Sequence, residues 1–92
     1  MILKAYSLLD TKTGSFAVPF FMHHDALAVR AVMSAATGDS TSLSEYPEDY
    51  MLYNIGEYDD QIGQLFSRHH VCLGNIRSLL SAGRSNLVEA AQ

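Results

Sequence analysis

The sequence has little cysteine, little proline and no tryptophan. Its single cysteine, Cys72, excludes an intrachain disulfide and fits a reducing compartment. No apolar run reaches the ~20 residues that a bilayer-spanning helix needs, and the first ten residues are too short and too interrupted for a secretory signal. We therefore expect a cytoplasmic protein with no membrane association.

Basic residues are also scarce, and their distribution is uneven. The net charge is −4, and no Lys or Arg occurs between Arg30 and Arg68. Domains that bind nucleic acid through bulk electrostatics are usually basic, so DNA binding here requires a local patch of cations. Most of the acids fall in the same gap, where they either solvate loops or form an acidic face for a basic partner.

Strand periodicity is the main structural signal in the sequence. It occurs in four segments, which are residues 2–9, 15–22, 51–58 and 64–73. The turn sequence DTKTG joins the first two segments into a hairpin. Pro19 cannot donate to a strand ladder, so the second strand is predicted to be an edge strand or bulged.

One main helix is predicted between these pairs of strands. Asp25 is expected to be its N-cap and Gly38 to end it. Its apolar stripe, expected to pack on the sheet, consists of Val29, Val32, Met33 and Ala36. A short helix is predicted at residues 75–82. The fold class is therefore α+β, a small antiparallel β-β-α-β-β sheet with one main helix packed on one face and a short C-terminal helix.

The chain length allows a single domain, predicted to span residues 1–82, with a flexible tail at 83–92. A domain of this size has a thin core, yet the hydrophobic fraction is 48%. The excess of apolar residues and the edge strand containing Pro19 favour self-association, and we expect a homodimer.

The histidines and the cysteine are the only residues whose types suggest a metal site. The histidines form two adjacent pairs, His23 with His24 and His69 with His70. Neighbouring strand residues face opposite sides, so each pair supplies one ligand at most, and the spacing matches no regular zinc pattern. We therefore expect no metal and no cofactor.

Motifs for catalysis are missing as well. Cys72 follows two histidines, but a nucleophilic cysteine also needs a base and an orienting group placed in space. The chain contains neither of the glycine-rich phosphate-binding motifs, GxxxxGK[ST] and GxGxxG. A metal-dependent or thiol enzyme is thus a remote hypothesis, and we expect a protein that acts by binding a partner.

Aromatic residues lie mostly on the predicted strands. Aromatic side chains on a sheet can stack on the bases of single-stranded nucleic acid. Phe16, Phe20 and Phe66 are expected in the core, whereas tyrosines, which have a polar tip, are better candidates for an exposed platform.

One segment resembles a known family. The sequence YPEDYMLYNIGEYDDQIG at residues 46–63, together with the opening strand and the later AVPFF, resembles the small non-structural protein of gokushovirus-type microviruses, which are bacteriophages with circular single-stranded DNA genomes. The resemblance covers about residues 1–75. It implies a non-structural protein in the host cytoplasm that binds DNA in the switch from genome replication to packaging. It implies no catalytic residues.

Two hypotheses of function remain. The first is single-stranded DNA binding by four cations and a stacking tyrosine, namely Lys4, Tyr6, Lys12, Arg68 and Arg77. The second is an adaptor that docks the replication initiator, the procapsid or a host factor through its acidic segment 45–60, with Glu45, Glu48, Asp49, Asp59 and Asp60. A structure that separates the cations, or mixes them with acids, excludes the first site and favours the adaptor.

Overall fold

A computed structural model describes residues 1–38 and 41–82 of the chain. Its elements in chain order are β1 (Ile2–Asp10), β2 (Ser15–Phe16), β3 (Phe20–Met22), α1 (Asp25–Ala36), α2 (Ser42–Glu45), a 3-10 turn (Pro47–Asp49), β4 (Tyr50–Asp59) and β5 (Gln64–Asn75), followed by helical residues 76–82. The predicted α+β class is confirmed. The tail predicted at 83–92 lies outside the described residues.

All five strands form one antiparallel sheet. Strand β1 is central: β2 and β3 both pair with one of its sides, and β4 pairs with the other. Strand β5 pairs with β4 and is the outermost strand on that side. The sheet thus has one edge made of two short strands and one made of a single strand of 12 residues.

The loop between β1 and β2 and the loop between β4 and β5 have the same hydrogen-bonding pattern. The N–H of Gly14 donates to the carbonyl of Asp10, and that of Gly63 donates to the carbonyl of Asp59, both at 2.8 Å. Each aspartate carboxylate also accepts the N–H two residues further on. The two glycines have φ angles of 76° and 65°, which lie in the left-handed region that glycine adopts without strain. Both aspartates therefore serve to close turns.

The predicted strand at 15–22 is divided into β2 and β3 at residues 17–19. Before the break, Phe16 pairs with Leu9. After it, Phe20 pairs with Tyr6. The register has moved by one residue, and a shift of one residue moves side chains to the opposite face of a sheet. Phe16 and Phe20 therefore face opposite sides, although simple alternation predicts that they share one.

One face of the sheet is covered by α1 and holds the core. The buried residues of this core are Tyr6, Ala28, Val32, Ala36, Leu52 and Ile76. The predicted helix stripe is confirmed at Val32 and Ala36, and Val29 is half-buried and packs against this core. Met33 is half-buried but lines a shallow surface groove. The contact side of the helix is instead completed by Ala28, because a small residue lets the helix lie close to the sheet.

The start of α1 differs from the prediction. His24, rather than Asp25, occupies the N-cap position, and its side chain makes no capping hydrogen bond. Asp25 is the first helical residue, and its carboxylate accepts a hydrogen bond of 2.6 Å from the Tyr6 hydroxyl. An acid in the first turn also interacts favourably with the helix dipole, so Asp25 stabilises the helix without capping it.

Strand β4 contains a bulge opposite β1. Ala5 pairs with Gly56 and Tyr6 pairs with Asn54, so Ile55 is an extra residue with no partner on β1. A bulge of this kind bends a strand and increases its twist.

The same position is irregular on the β5 side. Asn54 pairs with Val71 and Gly56 with Ser67, so the three residues 68–70 of β5 lie opposite one residue of β4. Beside this widened region the backbones of β4 and β5 lie so close that a Cβ atom at Gly56 would collide with the carbonyl oxygen of Phe66.

Candidate functional site

The cations of the predicted DNA site fall into two groups and are paired with acids. The Lys4 ammonium lies 3.7 Å from the Asp25 carboxylate. Arg68 forms an ion pair of 2.8 Å with Glu57. Arg77 forms one of 3.0 Å with Glu48, near the first turn of the C-terminal helical residues. Lys4 and Arg68 both lie beside Glu57, whereas Arg77 lies with Glu48 before β4. The five residues therefore do not form one continuous surface, and DNA binding by this set stays a prediction.

Tyr6 cannot serve as the predicted stacking platform. Its relative exposure is 0%, and its ring stacks on Phe20 with a centroid distance of 5.7 Å. Burial raises the pKa of its hydroxyl, and the hydrogen bond to the Asp25 carboxylate raises it further. Lys4 and Tyr6 share a sheet face, but it is the face that carries α1.

Lys12 is exposed in the loop between β1 and β2. It acts on the same acid as Arg77: a backbone hydrogen bond lowers the pKa of Glu48 most, and the charges of Arg77 and Lys12 lower it further. These two cations therefore balance an acid at one end of the sheet and do not form a phosphate site with Arg68.

The acidic segment 45–60 is divided between the two ends of β4. Glu45, Glu48 and Asp49 precede the strand, and Asp59 and Asp60 end or follow it. A strand of ten residues separates them by about 30 Å. The adaptor hypothesis therefore loses its continuous acidic surface.

Several of these acids also have partners within the fold. The carbonyl of Asp49 accepts hydrogen bonds from the N–H and hydroxyl of Thr11. The carbonyl of Glu48 accepts one from the Asn75 side chain. Asp60 pairs with the N-terminal ammonium at 2.8 Å. The backbone carbonyls of Asp49 and Glu48 thus anchor the segment to the sheet, and the carboxylate of Asp60 holds the N-terminus.

The face of the sheet opposite α1 carries a cluster of aromatic rings. The rings of Phe16, Tyr53 and His70 come from β2, β4 and β5, and their centroids are 5.3 to 6.1 Å apart. Helical residues Val32, Leu43 and Leu79 all pack in the core on the other side. We call the side that bears Phe16 the open face, and these three rings the aromatic cluster.

The aromatic cluster is accessible from outside. Phe16 is 43% exposed, His70 is exposed and Tyr53 is half-buried. Ser7 lies on the same face and is fully buried, and its hydroxyl donates to the Ala17 carbonyl at 2.7 Å. The segment between β2 and β3 thus holds the buried Ser7 hydroxyl, while the aromatic rings around it stay in contact with solvent.

A second aromatic pair extends the open face. Phe21 contacts Tyr58 at a centroid distance of 5.5 Å, and Phe21 is 38% exposed. Leu65, which pairs with Tyr58 on the neighbouring strand, is 66% exposed. The open face therefore presents two groups of rings and adjoining apolar surface along its strands.

Sequence reasoning missed Phe16 and His70. Phe16 was expected in the core because alternation links it to Phe20. The position of His70 depends on the irregular region at 68–70, which no local pattern reveals. The prediction that tyrosines form the platform fits Tyr53 and Tyr58 in position, but not Tyr6.

Other features give no further site. Within residues 1–38 and 41–82, no group of three or more His, Cys, Asp or Glu residues is close enough to hold a metal ion. In the same part of the chain no helix has the length and apolar character to cross a membrane. Cys72 is exposed and unbonded.

Comparison with known proteins identifies one family. The family model described as Phage ORF5 protein matches residues 3–79. No curated protein matches the chain, and no solved structure does.

Proposed function

The chain belongs to the Phage ORF5 protein family, and we propose that this phage accessory protein binds single-stranded DNA through its open face. We also propose that it is a non-structural protein of the gokushovirus-type microviruses, which its sequence resembles. In that role it would act between genome replication and packaging. The observation that carries it is the aromatic cluster, which consists of three accessible rings on one sheet surface.

Aromatic rings on a sheet suit unpaired bases for a physical reason. Every base has a flat π-surface, so stacking tolerates any sequence and contributes about 1–3 kcal/mol per base. Such stacking on sheet aromatics is a common way to hold single-stranded nucleic acid. The cluster offers one platform, and Phe21 with Tyr58 offers a second on the same face.

The charge of the protein limits how the phosphates are held. With a net charge of −4, long-range electrostatic repulsion between the protein and the phosphates opposes binding, so most of the affinity comes from stacking. Arg68 forms its ion pair with Glu57, which pairs with Lys4 on the face that carries α1, and the Glu57 side chain is only 26% exposed. Arg68 therefore contributes little to binding on the open face.

The test is a titration of labelled single-stranded and duplex oligonucleotides at two salt concentrations, followed by fluorescence anisotropy. We expect single strands to bind better than duplex, with a shallow salt dependence because few phosphates are neutralised. Phe16→Ala and Tyr53→Ala should each weaken binding by about 1–3 kcal/mol.

The matched control is Tyr46→Ala, because Tyr46 is 54% exposed and lies away from the open face, before the 3-10 turn. Its binding should equal that of the unsubstituted protein. Equal losses in Tyr46→Ala and Tyr53→Ala would contradict a site on the open face, and so would a preference for duplex DNA.

A protein–protein adaptor is the second candidate, and the pairing of cations favours it. Lys4, Arg68 and Arg77 are all paired with acids, and Lys4 and Glu57 lie on the face that carries α1, so these charges do not add to the aromatic open face. Surfaces rich in aromatic residues and poor in charge are typical of the centre of protein interfaces. The partner would be a viral replication or capsid protein or a host factor. Absence of DNA binding in the titration would favour it over the first proposal.

A further inference from the structure

The two edges of the sheet are protected to different degrees. The edge formed by β2 and β3 contains five strand residues in two pieces, separated by a segment that includes Pro19. Short strands and proline prevent an edge from pairing with another chain. The opposite edge, β5, has 12 residues without proline, and residues 64–72 are all exposed. Its outer row of backbone donors and acceptors can accept another strand.

We propose that β5 pairs antiparallel with β5 of a second copy of this chain, about a twofold axis that passes between Arg68 and His69. This inference stands independently of DNA binding. The homodimer expected from the sequence rested in part on the edge strand that contains Pro19, and the proposal places the contact at β5 instead. The occupant is a second copy because β5 is self-complementary in this register.

The faces on which the β5 side chains lie follow from their partners on β4. Leu65 pairs with Tyr58, and Cys72 pairs with Tyr53. Both tyrosines belong to the open face, because Phe21 contacts one and Phe16 contacts the other. In a regular strand, residues seven apart face opposite sides. The irregular region at 68–70 changes this parity and places Leu65 and Cys72 on the same face.

The other face shows the same relation. Phe66 pairs with Glu57, and Val71 pairs with Asn54, so Phe66 and Val71 both lie on the side of the sheet that carries α1. The proposed axis therefore sets Leu65 opposite Cys72 of the partner subunit and Phe66 opposite Val71 of the partner subunit. By symmetry each contact occurs twice. Directly opposed residues of an antiparallel pair lie on one face, and here both pairs meet that condition.

The apolar exposure along β5 supports the same contact. Leu65, Phe66 and Val71 are 66%, 41% and 56% exposed in the single chain. Large apolar side chains on an uncovered edge are a liability that native proteins cover. Pairing covers these side chains in two stretches of β5, one before and one after the irregular region at 68–70.

The charges of β5 do not oppose this pairing. From Gln64 to Asn75 the strand contains no acid, and Arg68 is its only residue with a formal charge at neutral pH when the histidines are neutral. Arg68 is already paired with Glu57 at 2.8 Å, so the axis brings together two compensated ion pairs. The dimer would have a continuous sheet whose two aromatic clusters lie on the same face.

The test uses the native Cys72 as a probe. Opposed Cα atoms in an antiparallel pair are about 4.5–5.5 Å apart, a distance that a disulfide can span. We expect Leu65→Cys to form a disulfide-linked dimer under mild oxidation, seen on a non-reducing gel. The matched control is Gln64→Cys, whose side chain faces the other side of the sheet, and it should link more slowly. Adding Cys72→Ser to Leu65→Cys should remove the product.

Two measurements on the full chain complete the test. Light scattering of the unsubstituted protein at tens of micromolar should give twice the chain mass of 10.1 kDa. Val71→Lys, on an exposed position, should give the single-chain mass with an unchanged circular dichroism spectrum. A single-chain mass for the unsubstituted protein would overturn the proposal, and so would equal linking by Leu65→Cys and Gln64→Cys. Neither result depends on whether DNA binds.

Discussion

The two faces of this sheet come from the same strands but are used differently. On the covered face, Tyr6 and Leu52 are fully buried beneath the helical residues. On the open face, Phe16 and Phe21 keep 43% and 38% of their surface exposed. Burial of apolar area stabilises the fold by about 25 cal/mol per Å², and these rings give up part of that gain. The covered face accounts for most of the stability, and the open face is the surface that we propose binds a partner.

The largest expected effect tests which side of α1 belongs to the core. Val32 is 4% exposed, so Val32→Asp places a charge without a partner beneath the helix and should lower the free energy of unfolding by about 3 kcal/mol or more. The sequence places Met33 in the same apolar stripe, which predicts that Met33→Asp is comparably severe. Because Met33 is half-buried in a surface groove, it should cost about 1 kcal/mol. Urea denaturation of both variants measures the difference, and equal losses would contradict the orientation of α1.

A smaller loss of stability should distinguish Tyr6 on the covered face from Tyr53 on the open face. Tyr6→Phe removes the hydroxyl that donates to Asp25 and should cost about 1 kcal/mol, a value at the low end for a charged acceptor because Asp25 is partly exposed. Tyr53→Phe keeps a ring on the open face, and within the described chain its hydroxyl makes no hydrogen bond. It should change stability by less than about 0.5 kcal/mol. Thermal unfolding that ranks Tyr53→Phe as the more damaging change would reverse the assignment of the faces.

The smallest effect concerns the ion pair at the end of the sheet. Glu48 has a lowered pKa in the folded state, so its contribution is present above its unfolded pKa and is lost as pH falls through the folded pKa. Glu48→Gln should therefore lower the melting temperature slightly at neutral pH and have no effect in strong acid. Melting curves at the two pH values measure this, and a difference that persists in acid would exclude the ion pair as its cause.

Local patterns were sufficient to predict most of the fold. The four segments with strand periodicity, the main helix and the short C-terminal helix all occur, because alternation and turn residues act over a few neighbours. The division of the second strand was not predicted, although Pro19 indicated an edge or a bulge. The N-cap was displaced by one residue, because the Tyr6 hydroxyl recruits Asp25 from another element, and sequence alone does not show that tertiary contact.

The candidate site was harder to predict, because it depends on register. Phe16 reaches the open face through a shift between β2 and β3, and His70 joins it after an irregular region of β5. Neither shift can be read from alternation. The cations were chosen because they are separated from most of the acids along the chain. The antiparallel pairing of β4 with β5 nevertheless brings Glu57 next to Arg68. Distance in sequence therefore did not predict electrostatic separation.

The bulge at Ile55 also determines where the length of this chain can change. Removing one residue from a regular stretch of β4 would move every later side chain of the strand to the opposite face of the sheet. Deleting Ile55 would instead leave Asn54 and Gly56 opposite Tyr6 and Ala5, since those pairings already omit it. Insertions and deletions in β4 should therefore be tolerated best at this position, and single-residue deletions along the strand, assayed for soluble folded protein, should show a minimum of damage there.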